Sequence, residues 1–368
     1  MPIQTAIDSI SNSQGSPFGF KNRIINGAIV IDQRQAGSNV AASAVSNGGY
    51  HTADRWAAST TQSSKFTLQQ VADAPTGFKY SMKLTSVSAF TPASSDYFGV
   101  MQMIEGYNVA DLDYGLSTAK ATSLSFWAKS SITGTFSGSI FSATNKGNPF
   151  SYTISAANTW TYVTINNIVG DTATALNSTT NGTGLYVYFS FGAGSSQLGS
   201  AGTWQSGTIL GVTGQTNHIA TNGATLQITG VQFEVGKQAT SFDYRDYGNE
   251  LRMCQRYCMA WRVDGVSQQY LAVGQAYNTT TAIFMVPLPV TPRVTPTGIT
   301  TSAAAGFGSL TSGAAGSTGS TLIWNASSNM ALTMNYTATA GFTTAGFATA
   351  LYFNGTANAY IYTTGSEL

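Results

Sequence analysis

The strongest constraint in this chain is a period of two. In Ser123-Leu-Ser-Phe-Trp-Ala-Lys129 the side chains of Leu124, Phe126 and Ala128 fall on one face, and those of Ser123, Ser125, Trp127 and Lys129 on the other. The same β-type character recurs in Lys65-Phe-Thr-Leu-Gln-Gln-Val71, Tyr80-Ser-Met-Lys-Leu-Thr85, Thr135-Phe-Ser-Gly-Ser-Ile-Phe141, Thr159-Trp-Thr-Tyr-Val-Thr-Ile165 and Leu185-Tyr-Val-Tyr-Phe-Ser-Phe191, with Gly, Asn, Asp and Ser clusters between runs. Short alternating runs bounded by turn residues predict an antiparallel sandwich or jelly roll. Trp127 falls on the face away from the core set, where an open indole is costly, so coverage by another segment or a neighbouring subunit is expected. No tandem repeat of fixed period is visible, which argues against a β-helix or a propeller.

Charged residues are only 8% of the chain, and 16 Lys+Arg stand against 15 Asp+Glu, so the positive field that phosphate binding needs is missing. Hydrophobic residues at 42% and aromatics at 12% supply enough apolar surface for a core, and 368 residues predict two domains. Met1-Pro-Ile-Gln-Thr-Ala-Ile-Asp-Ser-Ile10 has neither a basic nor a continuous apolar region, so no secretory signal is expected, and no later segment is apolar for long enough to span a bilayer.

The expected architecture is all-β. It begins with an N-terminal arm over residues 1–20, suited to attachment, followed by an antiparallel jelly-roll β-sandwich over 21–247. A connecting helix over 248–262 leads to a second, smaller β-sandwich domain over 263–368. Prolines 287, 289, 292 and 296 argue against a central strand across 281–293 and for an edge or crossing segment. The low charge and high glycine content of the second domain predict a marginal core that self-association would stabilise. Cys254 and Cys258, one helical turn apart, are expected to be packed thiols rather than a disulfide or a zinc site.

Five tracts carry a further signal in their order: Asn22-Arg-Ile-Ile-Asn-Gly27, Ala53-Asp-Arg-Trp56, Ser123 to Lys129, Ile228-Thr-Gly-Val-Gln-Phe-Glu-Val-Gly236 and Cys254-Gln-Arg-Tyr257. Together they resemble the carbohydrate-binding-module-like jelly-roll domain of bacteriophage tail and fibre proteins. The resemblance implies a virion protein, a homotrimer, that contacts other virion proteins through its N-terminal arm and host surface polysaccharide through its β domains. The related modules carry a Glu that helps hold a structural calcium. Its counterpart here falls near Val30, which cannot ligate a hard cation, so no cofactor and no metal are expected, although Asp32, Asp54, Glu234 or Asp243 could build a different oxygen site. Neither nucleic acid nor an inserted membrane is an expected partner. The expected location is the virion, as a tail or head fibre assembled in host cytoplasm.

Sugar recognition needs aromatic faces for C–H surfaces and amides or carboxylates for hydroxyls. The most loop-like candidates for carbohydrate binding are Tyr50, beside His51, then Trp204 in Gly202-Thr-Trp-Gln-Ser-Gly207 and His218. Asp54, Arg55 and Trp56 are expected to form a buried structural corner. No catalytic residue is assigned: the best acidic cluster, Glu105, Asp111 and Asp113, reads as a turn, and neither a nucleophile elbow nor a phosphate-binding loop occurs. The leading expectation is therefore a non-enzymatic fibre subunit adhering to host polysaccharide. The alternatives are a structural head or tail decoration protein without receptor binding and, further off, a glycan depolymerase.

Overall fold

The computed structural model describes residues 20–43, 52–142, 146–263, 269–303, 306–311, 314–339, 342, 345–354 and 359–368. The expected N-terminal arm, apart from Phe20, lies outside the described residues, as do Tyr50 and His51. The chain divides into two compact units, with the change at Glu250 and Leu251 inside the helix Tyr247–Gln255.

The first unit is an antiparallel jelly-roll β-sandwich of two six-stranded sheets. One sheet runs, in spatial order, Val40–Ala41, Phe66–Val71, Ser81–Ser86, Thr225–Val235, Thr122–Ser130, Thr161–Ile168; the other runs Gln205–Ser206, Lys146–Ile154, Gly134–Ser142, Thr183–Ala193, Tyr97–Glu105, Trp56–Thr60. The alternation assigned the faces as the pleat requires: Leu124, Phe126 and Ala128 are fully buried between the sheets. Phe126 is the hub of the core. Its ring centroid lies 4.9 Å from Phe189 and 5.1 Å from Tyr152, both edge-on, the geometry that the ring quadrupole favours. Each such side chain removed from water contributes about 1.5–3 kcal/mol.

A buried polar junction ties the ends of this unit together. Asn22 Nδ2 donates to the Val231 carbonyl at 3.0 Å, and Asn22 Oδ1 accepts from the backbone N–H groups of Ile24 and Phe233. Asn26 takes the left-handed conformation at φ 57°, one that Asn tolerates, and its side chain bonds the backbone of Ile31 and the Asp54 carbonyl. A Cβ on Gly27 would lie 2.2 Å from the Val231 carbonyl oxygen, so only glycine lets these two segments approach. Arg245 donates to the Ile24 and Asn22 carbonyls and pairs with Glu250, which in turn accepts from the Asn26 N–H.

Asp54, Arg55 and Trp56 extend this junction, each 1% exposed or less. Asp54 accepts from the Gln33 backbone and side-chain amides and lies 3.7 Å from Arg34. Arg55 donates to the Met103 carbonyl at 2.7 Å, and the Trp56 indole donates to the Asn26 carbonyl at 3.1 Å. Three of the tracts that carry the family resemblance, around 22–27, 53–56 and 228–236, therefore meet in one place, and most of their residues are buried there.

The second unit is also β. Gln269–Ala276, Thr281–Pro287, Ala331–Ala338, Ala314–Ser327, Phe307–Thr311 and Ala348–Phe353 close, in that order, into a six-stranded barrel, and Ala260–Arg262, Tyr360–Thr364 and Gly298–Thr301 form a separate three-stranded sheet. Closure of the larger sheet is a refinement of the expected sandwich: it leaves that sheet without a free edge. Ala260–Arg262, expected within the connecting helix, belongs to the smaller sheet. The strand Ala331–Ala338 shows the barrel's parity, with Leu332, Met334, Tyr336 and Ala338 inside. One expectation is corrected here: Thr281–Pro287 is paired on both sides, to Gln269–Ala276 and to Ala331–Ala338. Pro287 is tolerated because it is the strand's last residue, so its missing N–H interrupts no ladder. Cys254 and Cys258 are buried thiols that form no disulfide, in agreement with the packing expectation.

Candidate functional site: an aromatic strip on the outer face of a sheet

The parity that buries Phe126 turns Trp127 outward. Directly opposite it in register is Tyr162, with ring centroids 5.2 Å apart. On Trp127's other side the strand Thr225–Val235 carries a bulge between Thr229 and Gln232, where Gly230 sits at φ 61°. A Cβ there would lie 2.7 Å from the Phe78 ring and 3.1 Å from the Trp127 indole, so both rings rest against this bare backbone. Beyond Phe78 lie Phe242 at 5.1 Å and Tyr244 at 5.5 Å, themselves 4.9 Å apart. Tyr162, Trp127, Phe78, Phe242 and Tyr244 thus form one strip across the outer face. Its two ends are open, at 46% exposure for Tyr162 and 61% for Tyr244, while the three central rings are half-buried.

A polar row flanks the strip. The Asp73 carboxylate pairs with the Lys129 ammonium and accepts from Gln227 Nε2 at 3.2 Å. Ser81 Oγ donates to Gln227 Oε1 at 2.9 Å, which fixes the orientation of that amide. Lys129 also lies over the Trp160 ring at 5.1 Å. The hydrogen bond from Lys129 holds the Asp73 carboxyl below the ordinary carboxylate range, against the opposing effect of burial. With its side chain 48% exposed, that carboxylate keeps lone pairs directed to solvent. Flat apolar faces beside an oriented amide and an ionised carboxylate are the donor and acceptor set that a sugar ring presents in complement: axial C–H groups for the rings, hydroxyls for the polar row.

Trp127 was expected to be covered, and it is in part, by Tyr162 and Phe78. Its partners in the strip were not singled out from sequence, although parity in Thr159-Trp-Thr-Tyr-Val-Thr-Ile165 already puts Trp160 and Tyr162 on one face. Phe78, Phe242 and Tyr244 come from connecting segments whose return to this face is not encoded in any local period.

The candidates from sequence are distributed differently. His218 is corrected: it is fully buried and cannot meet a ligand. Its ring stacks between Phe136 at 4.2 Å and Phe191 at 5.1 Å, and Nε2 lies 2.8 Å from Ser130 Oγ. Burial lowers its pKa to about 3, so the ring is neutral in the folded protein. Trp204 is half-buried, packed edge-on to Tyr114 at 5.6 Å, with its indole N–H donated to the Val169 carbonyl at 2.7 Å. Neither residue lies in the strip.

The acidic cluster does not assemble into a cleft. Glu105 is buried at 2% exposure, and Asp111 is held by a bidentate pair with Arg23 at 2.8 and 2.9 Å. Asp113 occupies the left-handed turn position at φ 56°. Among the described residues no three His, Cys, Asp or Glu side chains come together in a way that could hold a metal. Of the acidic residues considered for an oxygen site, Asp32 accepts from the Gln35 and Gly37 N–H groups of its own turn, and Glu234 accepts from Gln232 on the same strand and from the Thr240 N–H. No described helix is long and apolar enough to cross a membrane.

No protein-family model and no curated protein matches this chain. Among solved structures it is similar to the C-terminal family 22 carbohydrate-binding module of Clostridium thermocellum Xyn10B, at 12% identity over 54% of this chain and 100% of that one, with a TM-score of 0.29. It is also similar to the family 11 carbohydrate-binding module from Clostridium thermocellum in complex with a β-1,3-1,4-mixed-linked tetrasaccharide, at 11% identity over 56% and 100% of the two chains, with a TM-score of 0.27.

Proposed function

We propose that this protein is a non-enzymatic, glycan-binding subunit of a bacteriophage fibre, and that it adheres to host surface polysaccharide through the aromatic strip of its first unit. The observation that carries the binding reading is the continuous row from Tyr162 through Trp127 and Phe78 to Tyr244, flanked by Asp73, Lys129 and Gln227. A strip of this kind recognises an extended chain, because successive sugar rings can rest on successive aromatic faces. The virion assignment, attachment through residues 1–20 and the homotrimer follow from the resemblance of the five sequence tracts. Self-association is further supported by apolar side chains on the barrel's outer surface, with Tyr270, Val273, Met285 and Ile323 all more than half exposed. Three copies of a shallow site on one fibre raise avidity without a tight single site.

Competition for adsorption tests the reading. Purified full-length protein at saturating concentration should block attachment of the parent phage to its host, and Trp127→Ala protein of equal stability should block poorly. A folded oligomer that leaves adsorption unchanged would move the assignment to a structural decoration protein.

A further inference from the structure

Three neighbouring strands of the sheet that bears the strip meet at a groove. It lies where Thr122–Ser130 begins and where Thr161–Ile168 and Thr225–Val235 end, and Lys120, Asn167, Val235, Lys237 and Gln238 are among its lining residues. Its volume of about 690 Å³ falls within the range of about 300–1,000 Å³ that small-ligand sites occupy. Hydrogen bonds fix its walls. The Gly236 N–H donates to the Ala121 carbonyl at 2.9 Å, the Ala239 N–H to Asn166 Oδ1 at 2.8 Å, and the Lys120 N–H to the Leu112 carbonyl at 2.9 Å. Ser123 Oγ donates to the Gly236 carbonyl at 2.9 Å. Lys237 and Gln238 are therefore held between two tied positions, Gly236 and Ala239.

The donors of this groove favour an anion. Two lysines line it and, among the described residues, no acidic one does. Lys237 is exposed and takes part in no ion pair among the described residues. Lys120 lies 4.0 Å from Asp111, both side chains being 44% exposed, and Asp111 is already held by Arg23. A contact so long and so open contributes little, and the flexible four-carbon stem lets the Lys120 ammonium turn toward the groove it lines. The backbone N–H groups of Lys237 and Gln238 also have no partner among the described residues. Successive free N–H groups beside ammonium groups are a donor set for an anion. The side-chain amides of Asn167 and Gln238 add groups that pair with hydroxyls.

The groove adjoins the face that carries the strip. Tyr162 and Asn166 lie on the same side of their strand, four residues apart, a distance of about 13 Å at about 3.3 Å per residue. Asn166 holds Ala239, the residue after Gln238. A glycan chain lying along the strand from Tyr162 would reach the groove within a few sugar residues.

We propose that this groove binds the anionic substituent of an acidic sugar, the carboxylate of a uronate or the phosphate of a sugar ester. The anion accepts from Lys120, Lys237 and the two backbone N–H groups, and the sugar hydroxyls pair with Asn167 and Gln238. The proposal deepens the glycan-binding reading and rests on it for the polymer that spans strip and groove, while the anion contact stands on the groove alone.

Saturation-transfer NMR on the full chain at low salt tests this, with glucuronate, glucose 6-phosphate, glucose and acetate as probes. At least one of the two acidic sugars should respond more than fivefold above glucose, and the stronger of them names the anion. The double variant Lys120→Gln, Lys237→Gln should lose that response, and Lys237→Arg, which keeps the charge, should retain it. Sodium chloride at about 1 M, which shortens the screening length to about 3 Å, should suppress it. Lys65→Gln, a loss of charge outside the groove, should leave it unchanged. Equal responses to glucose and to both acidic sugars, an undiminished response in the double variant, or an equal loss in Lys65→Gln would each overturn the site. Acetate saturated as strongly as glucuronate would overturn the sugar assignment. Trp127→Ala separates the two readings: loss of polymer binding with the acidic-sugar response retained leaves the groove standing, whereas a parent protein that binds neutral polysaccharide through Trp127 and gives no acidic-sugar response overturns the groove alone.

Discussion

Trp127 and Tyr162 face each other in register across two antiparallel strands, their ring centroids 5.2 Å apart on the side of the sheet away from the core. Cross-strand aromatic pairs contribute about 0.2–1 kcal/mol to a sheet, so removing one ring should leave the fold intact. We expect Trp127→Ala and Tyr162→Ala each to lower polysaccharide affinity about tenfold, equivalent to about 1.4 kcal/mol, with melting temperatures close to that of the parent. Affinity electrophoresis in gels containing host polysaccharide measures this. Unchanged mobility shifts would remove the strip from the binding surface.

Gly230 links backbone conformation to that surface. Its φ of 61° and the 2.7 Å approach of the Phe78 ring both disfavour a Cβ. Gly230→Ala should cost about 1–3 kcal/mol through left-handed strain and overpacking, and should also displace Phe78 and Trp127. Urea unfolding together with tryptophan fluorescence checks both effects, and a neutral substitution would mean that the bulge is more plastic than its contacts imply.

Trp56→Ala should destabilise far more than either strip substitution, by about 3–5 kcal/mol, because it opens a cavity in a close-packed core and strands the Asn26 carbonyl. Its glycan affinity, measured at a temperature where the variant is still folded, should match the parent. A selective loss of binding would show that the corner belongs to the site.

His218 sets an acid limit. Its folded pKa of about 3 lies below the unfolded value of about 6.5, so the unfolded chain binds the extra proton between these limits. Stability should be fully present above pH 6.5 and fall as the pH drops toward 3, with this residue contributing a slope of about 1.4 kcal/mol per pH unit. Denaturant unfolding at pH 7, 6, 5 and 4 measures the slope, and His218→Asn, which cannot titrate, should flatten it. An equally steep profile in the variant would assign the acid limit elsewhere.

Polysaccharide incubated with the purified protein should gain no reducing ends, since Glu105 is buried and Asp111 is committed to Arg23. Paired carboxylates across an open cleft are what hydrolysis of a glycosidic bond requires. Accumulation of reducing ends that Asp111→Asn abolishes would restore the depolymerase reading.

Local periodicity determined the β class, the strand faces and the buried set of Leu124, Phe126 and Ala128, because the pleat alternates side chains whatever the rest of the chain does. The burial of the two thiols and of Asp54, Arg55 and Trp56 was equally legible, since their chemistry favours packing or pairing over exposure. Only the tertiary structure closed the barrel through Thr281–Pro287, because closure depends on which distant strands pair. It also decided which aromatics work together. His218 looked loop-borne in sequence and is drawn between Phe136 and Phe191, while Phe78 and Tyr244, 166 positions apart by their numbers, meet at 5.5 Å. Sequence period reports which face a side chain takes on its own strand; which loops return to that face is set by long-range packing, and the candidate site is built from both.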